Sequence, residues 1–136
     1  SKFAFEIDEK NNFSIVRCEK FNFIPVHLNS FYASKRLEDC KTLGELSKNL
    51  DNVVILGDTN IWMQKNSFFF ANDKKSYHEI TAYLTDFTKE IISTTYIGLG
   101  LDKILGSKNL KAKKVESKKI RGPFMDHYPI TIEILN

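Results

Sequence analysis

The chain has 136 residues, 42% of them hydrophobic and 12% aromatic, which is enough apolar material for one packed domain and too much for a disordered chain. Its formal charge of +3 is a mild basic bias, compatible with a phosphate-bearing partner and too small to define one. Cys18 and Cys40 are the only cysteines and there is no CxxC, so neither a disulfide framework nor a sulfur-rich zinc site is expected. No apolar run approaches the ~18 residues of a membrane-spanning helix, and no signal peptide is visible, so the expected location is cytoplasmic.

Phe3 to Ile7 alternates as a strand, and Asp8 to Asn12 reads as a polar turn. Phe13 to Leu28 is rich in strand formers and reads as two strands, or as one broken near Glu19 and Lys20. Pro25 within it marks an edge or a bulge, because proline has no N–H to donate to a ladder. Ser30 is placed to cap a short helix through Leu37 and Cys40. Thr42 and Glu45 have capping-box spacing ahead of Leu43, Leu46 and Leu50.

Val53 to Leu56 is a short, continuously apolar strand of the kind found inside a sheet, with Gly57 to Asn60 as its exit loop. Residues 62–75 lack a period and read as a surface excursion. Ser76 and Glu79 form a second capping-box pair, and Ile80, Leu84, Phe87 and Ile91 mark one face of a helix. Ser93 to Gly100 reads as a flexible approach to a strand starting in Leu101–Leu105. The lysine-rich segment from Leu110 to Ile120 is a further strand, Gly122 and Pro123 turn the chain, and Tyr128 to Leu135 alternates as the last strand. Strands mixed with helices give an α/β layer fold in a single domain over residues 1–136.

The notable polar residues share one kind of address. His27 ends "FIPVHL", Asp58 and Asn60 follow "VVIL", Asp102 opens "LDKIL", and Asp126 and His127 precede "YPITIEI". Each stands where a strand meets a loop, so a rigid element can position it while the loop leaves room for a ligand. The residue types suit a phosphodiester. An aspartate oxygen can hold Mg²⁺ or Mn²⁺ or orient water, a neutral amide meets a phosphate oxygen without repulsion, and histidine can donate a proton. Each segment also has an ordinary reading: "GDTN" is a turn composition, Asp102 can cap a turn, and "DHYP" can be a plain loop. Trp62 could line a substrate rim or simply cover its own loop. Lys111 and Lys113, with Lys114, Lys118 and Lys119, could meet a phosphate backbone or form a solvated strand face.

In order and setting, "VHLNS", "VILGDTN", "LDKIL" and "DHYPI" resemble the motifs of the C-terminal part of the endonuclease/exonuclease/phosphatase superfamily, the DNase I-like enzymes. The resemblance spans roughly residues 13–135 and is most specific in "GDTN" and "DHYPI". It implies half of a four-layer α/β/β/α sandwich with a mostly antiparallel mixed sheet, the C-terminal portion of a larger domain. It also implies roles. His27 hydrogen-bonds or protonates near the phosphate, Asp58 orients the attacking water, and Asn60 contacts the phosphate. His127 contacts the scissile phosphate, Asp102 pairs with that histidine, and Asp126 is the carboxylate of the Mg²⁺ or Mn²⁺ site. The implied activity is metal-dependent hydrolysis of phosphodiesters, most of all in nucleic acid. A phosphatase acting on small phosphorylated molecules and a non-catalytic binding module on the same fold are the alternatives.

The chain departs from the pattern in three places. Met125 stands where the family has a small Ser, Gly100 where it often has a polar residue, and the Asn and Glu of the family's N-terminal half have no counterpart, since Glu6 and Glu19 come too late in the order. Half a sandwich would also leave an apolar sheet face open. The expectation is therefore that an upstream half or a second copy of the chain completes the fold, and that a chain of this length is inactive alone.

Overall fold

The structure is a computed structural model and describes residues 5–64, 67–91, 93–119 and 126–136. Strands β1 (Phe5–Lys10), β2 (Phe13–Cys18) and β3 (Phe21–His27) lead through helix α1 (Ala33–Lys48) to β4 (Val53–Asp58). A small hairpin, β5 (Met63–Gln64) and β6 (Ser67–Phe68), precedes helix α2 (Ala71–Thr81). Then come β7 (Leu84–Asp86), β8 (Asp102–Ser107), β9 (Lys111–Ser117) and β10 (Ile130–Leu135). The main sheet has the order β1-β2-β3-β4-β8-β7, with β9 and β10 paired separately. Among these strands the parallel pair is β3–β4, joined through α1 as a parallel pair requires; the other pairs of the sheet are antiparallel. The expected mostly antiparallel mixed sheet is the one found.

Alternation along β4 builds two cores. Val53 and Ile55 face the helices, joined by Ile15, Ile24, Leu105, Cys40 and Leu43 of α1, and Ile80 of α2. Val54 faces the other way, against Ile104, Leu110, Phe21, Phe23 and the isoleucines of β10. The layers run helices, main sheet, β9–β10 hairpin, which is the α/β/β order of the expected sandwich. Pro25 sits where the sequence allows it. The β2 ladder ends at Phe23, so β3 beyond that point is an edge on one side while its other side continues along β4.

Both helix readings need correction. The capping-box pair at Thr42 and Glu45 starts nothing: α1 is one helix, and the Thr42 hydroxyl donates to the carbonyl of Glu38 one turn back. Ser76 is likewise interior to α2, which begins at Ala71 within the expected surface excursion and stops at Thr81. Leu84 and Phe87 do not continue its face. Leu84 is in β7, where pairing with β8 outweighs a helical spacing of apolar residues. Phe3, Ala4, the Gly122–Pro123 turn and Met125 lie outside the described residues.

Candidate active site

Strands β3 and β4 are parallel and β8 is antiparallel to them, so the last residues of the first two and the first residue of the third emerge at one edge. The register aligns them directly, His27 opposite Asp58 and Asp58 opposite Asp102. Three of the four polar stations thus form one row across the centre of the sheet. Glycine at position 57 makes this row possible. Its φ is +133°, and a Cβ there would lie 2.1 Å from the Val26 carbonyl oxygen.

His127 closes onto the row from a different segment. Its backbone bridges to Thr95, the Tyr128 N–H donates to the Thr94 carbonyl at 2.7 Å, and the Tyr96 N–H donates to the Asp126 carbonyl at 2.8 Å. The Thr94 hydroxyl in turn accepts from the Asp102 N–H at 3.0 Å. Thr94 and Thr95 are almost fully buried. The expected flexible approach is therefore an ordered clamp joining the His127 segment to the start of β8. Its signal in the sequence is a pair of adjacent threonines able to bond their own loop, set among glycines that suggest the opposite.

The Nδ1–H of His127 donates to Asp102 Oδ2 at 2.7 Å, which turns Nε2 toward Asp58 Oδ2 at 3.7 Å. His27 Nε2 approaches the same oxygen at 3.8 Å from the solvent side. The other oxygen, Asp58 Oδ1, accepts from the Asn60 N–H at 2.8 Å. Asn60 holds a left-handed φ of 49° and donates its side-chain Nδ2–H to the carbonyl of Leu28 at 2.8 Å. This amide is buried, and one of its donors is spent on tying the β4 exit loop to the end of β3.

Charge in the site is balanced by neighbours. Burial raises the Asp58 carboxyl above its ordinary range; the Asn60 N–H and the two histidines pull it down, Asp102 pushes it up, and the net is upward. Burial lowers the His127 imidazole, but the hydrogen bond and charge of Asp102, with the charges of Asp58 and Asp126, outweigh it and leave its pKa raised. Two carboxylates side by side, one of them resisting ionisation, form a pocket that favours a cation.

Ligand atoms of Asp58, Asp102 and His127 lie within 4.8 Å of one another, the geometry of a group able to hold a metal ion. The donor set fits a divalent cation such as Mg²⁺ or Mn²⁺: hard carboxylate oxygens plus an imidazole nitrogen whose other N–H is fixed by a carboxylate. The expectation that a chain of this length is catalytically incomplete is corrected here, because one chain supplies the whole group.

The remaining candidates lie around this centre. Asp126 is exposed and adjoins His127 in sequence without joining the three-residue group. Trp62 is half-buried and packs against Phe69 and Phe70. Lys111 and Lys113 are exposed on β9 opposite Leu135 and Glu133, toward the end of the hairpin away from His127. Lys118 is at the other end of the hairpin, where its N–H donates to the carbonyl of Pro129, two residues past His127.

No known protein family and no curated protein matches the chain by sequence. Solved structures do match in fold. An endonuclease/exonuclease/phosphatase family protein from Bacteroides thetaiotaomicron is 18% identical with a TM-score of 0.64, over 90% of this chain and 54% of its own. The 3′ phosphatase NExo from Neisseria, bound to a product DNA hairpin, gives a TM-score of 0.74 at 14% identity, over 98% of this chain and 70% of its own. An AP endonuclease from Archaeoglobus fulgidus gives 0.72 at 18% identity with the same coverage. The chain therefore has the endonuclease/exonuclease/phosphatase fold. It spans about half the length of the first of these structures.

Proposed function

We propose that the protein hydrolyses phosphate esters with the help of a divalent cation, and that its substrate is a phosphodiester, foremost in nucleic acid. The observation that carries this reading is the aligned row His27–Asp58–Asp102 with His127 closed onto both aspartates. The carboxylates of Asp58 and Asp102 would hold the cation, which when bound would neutralise charge developing on the phosphoryl oxygens. Asp58 presents to the site the oxygen that both histidines approach, Oδ2, and orients the attacking water. Asp102 fixes the His127 ring so that Nε2 meets the phosphate, and the raised pKa of the ring keeps a proton on it. His27, exposed and 3.8 Å from the same Asp58 oxygen, supplies a second hydrogen bond to the phosphate, and Asn60 shapes the loop beneath it. Asp126 would add negative charge beside His127, and Trp62, two residues past Asn60, is the residue assigned to the substrate rim.

The choice of nucleic acid is supported by two of the similar structures, a 3′ phosphatase seen with a DNA hairpin and an AP endonuclease. The first of them also favours a second reading, removal of a terminal phosphate instead of cleavage within a strand. An apolar hollow of about 310 Å³ opens between the main sheet and the hairpin, lined by Phe21, Phe23, Leu56, Ile104, Ile132 and Ile134. Further strands from an upstream segment or a second copy of the chain are proposed to cover it, for stability and not to assemble the cluster.

The test compares an internally labelled oligonucleotide, a 3′-phosphorylated one and a small phosphate monoester as substrates, each with Mg²⁺. Internal cleavage supports the phosphodiester reading, and phosphate release alone supports the second one. His127→Ala should lower turnover by about 10²–10⁴-fold, the usual contribution of a proton-donating group. Undiminished turnover in that variant refutes the mechanism, and cation binding without turnover on any substrate leaves a binding module.

A further inference from the structure

Arg36 is none of the residues of the metal-binding group or its rim, yet it is almost fully buried on α1. Its guanidinium joins three segments. Nε and Nη2 donate to Asp73 Oδ1 of α2 at 3.2 and 2.7 Å, while Nη1 donates to the carbonyls of Asn29 at 3.0 Å and Ser30 at 3.3 Å. Those two carbonyls belong to the loop that leaves His27. The preceding residue, Leu28, is held from the other side: its N–H donates to the Asp58 carbonyl at 2.9 Å, and its carbonyl accepts from Asn60 Nδ2 at 2.8 Å. The loop is thus gripped between a buried cation and the two site residues of the β4 exit.

Core packing does not require a charge at this position. Cys40, Leu43 and Ser47 continue the buried face of α1, so Arg36 occupies a stripe of otherwise uncharged residues at helical spacing. A planar fork with several donors can bind a carboxylate and two carbonyls together, which a lysine ammonium cannot match. Asp73 Oδ2 is buried with no hydrogen-bond partner among the described residues, so the aspartate is aimed at Arg36 and is not satisfied elsewhere.

We propose that Arg36, with Asp73 as its anchor, is a positioning residue that sets the His27–Ser30 loop against Asp58 and Asn60. It acts through the Leu28 carbonyl and the Asn60 amide and does not touch substrate. The role in turnover rests on the phosphate-ester reading; the role in geometry does not. The test therefore has two readouts on the full chain. In Arg36→Lys, the Asn60 side-chain amide signals in a ¹⁵N-labelled sample should shift and broaden, while the circular dichroism spectrum keeps its shape. On the substrate that wild type turns over best, kcat should fall about 10-fold or more with KM within about twofold, as expected when a reacting group is displaced by a fraction of an ångström.

If Arg36→Lys does not fold, Arg36→Gln/Asp73→Asn removes both buried charges together and should give the same amide shift. Wild-type Asn60 signals in the folded variant overturn the proposal whether or not any activity is found. Shifted signals with an inactive wild type uphold the geometric role and count against the phosphate-ester reading alone. A loss of kcat matched by an equal loss of folded protein, with unshifted Asn60 signals, also overturns it.

Discussion

His127 is the side chain whose chemistry depends most on its company. Its hydrogen bond to Asp102 raises the imidazole above its ordinary 6.5, despite the opposing effect of partial burial. A group whose pKa is raised by folding stabilises the fold fully below its unfolded value, and that stabilisation is lost as pH rises through the folded value. The His127–Asp102 contribution is thus complete below about pH 6.5 and fades above it. An NMR titration of the His127 ring should give a midpoint above 6.5 in wild type and a lower one in Asp102→Asn; equal midpoints would show that Asp102 does not hold the ring. Asp58 acts in the same sense, since a carboxyl raised by burial costs stability once it ionises. Asp58→Asn should therefore unfold at a higher temperature than wild type at neutral pH while losing turnover, a trade expected of a residue kept for chemistry. A variant less stable than wild type would mean that the carboxylate is structurally satisfied.

At the scale of elements, the decisive strand is β4. A hydrophobic run ending in Gly-Asp is enough to mark Asp58 as a strand exit, and the ordinary turn reading also holds, because Asp58 Oδ1 accepts from the Asn60 N–H two residues on. Turn and site are the same atoms. Register is not legible in the sequence, since it depends on pairing between strands distant along the chain, and so the His27–Asp58–Asp102 row appears only once the sheet is assembled. The helix boundaries differ from their local signals for a physical reason: capping boxes at Thr42 and Ser76 are local preferences worth little against the packing that joins α1 to α2. Arg36 is hidden in the sequence because a lone arginine on a helix has the composition of a solvated face, and only its place on the buried stripe sets it apart. Gly57→Ala tests the row at this scale. A methyl group 2.1 Å from a backbone oxygen must push β3 from β4 where His27 and Asp58 meet, so equilibrium unfolding should show a loss of about 2–4 kcal/mol. A loss below about 0.5 kcal/mol, the range of an indifferent surface change, would mean that the strand pair is looser there than its register implies.

For the whole molecule, the layer order is legible in the run Val53, Val54 and Ile55, which demands apolar partners on both faces of one strand. That one chain supplies a whole candidate metal-binding group is not, because family resemblance divides the expected residues between two halves, whereas the group formed by Asp58, Asp102 and His127 lies wholly within this one. The most direct test of that claim measures hydrolysis of a phosphodiester by the 136-residue chain alone, with Mg²⁺ or Mn²⁺ and with a chelator, for wild type and Asp58→Asn. Turnover should vanish on chelation, return with the cation, and fall by about 100-fold or more in Asp58→Asn. Turnover indifferent to the chelator, undiminished in Asp58→Asn, or absent from the folded chain would contradict the metal-dependent mechanism.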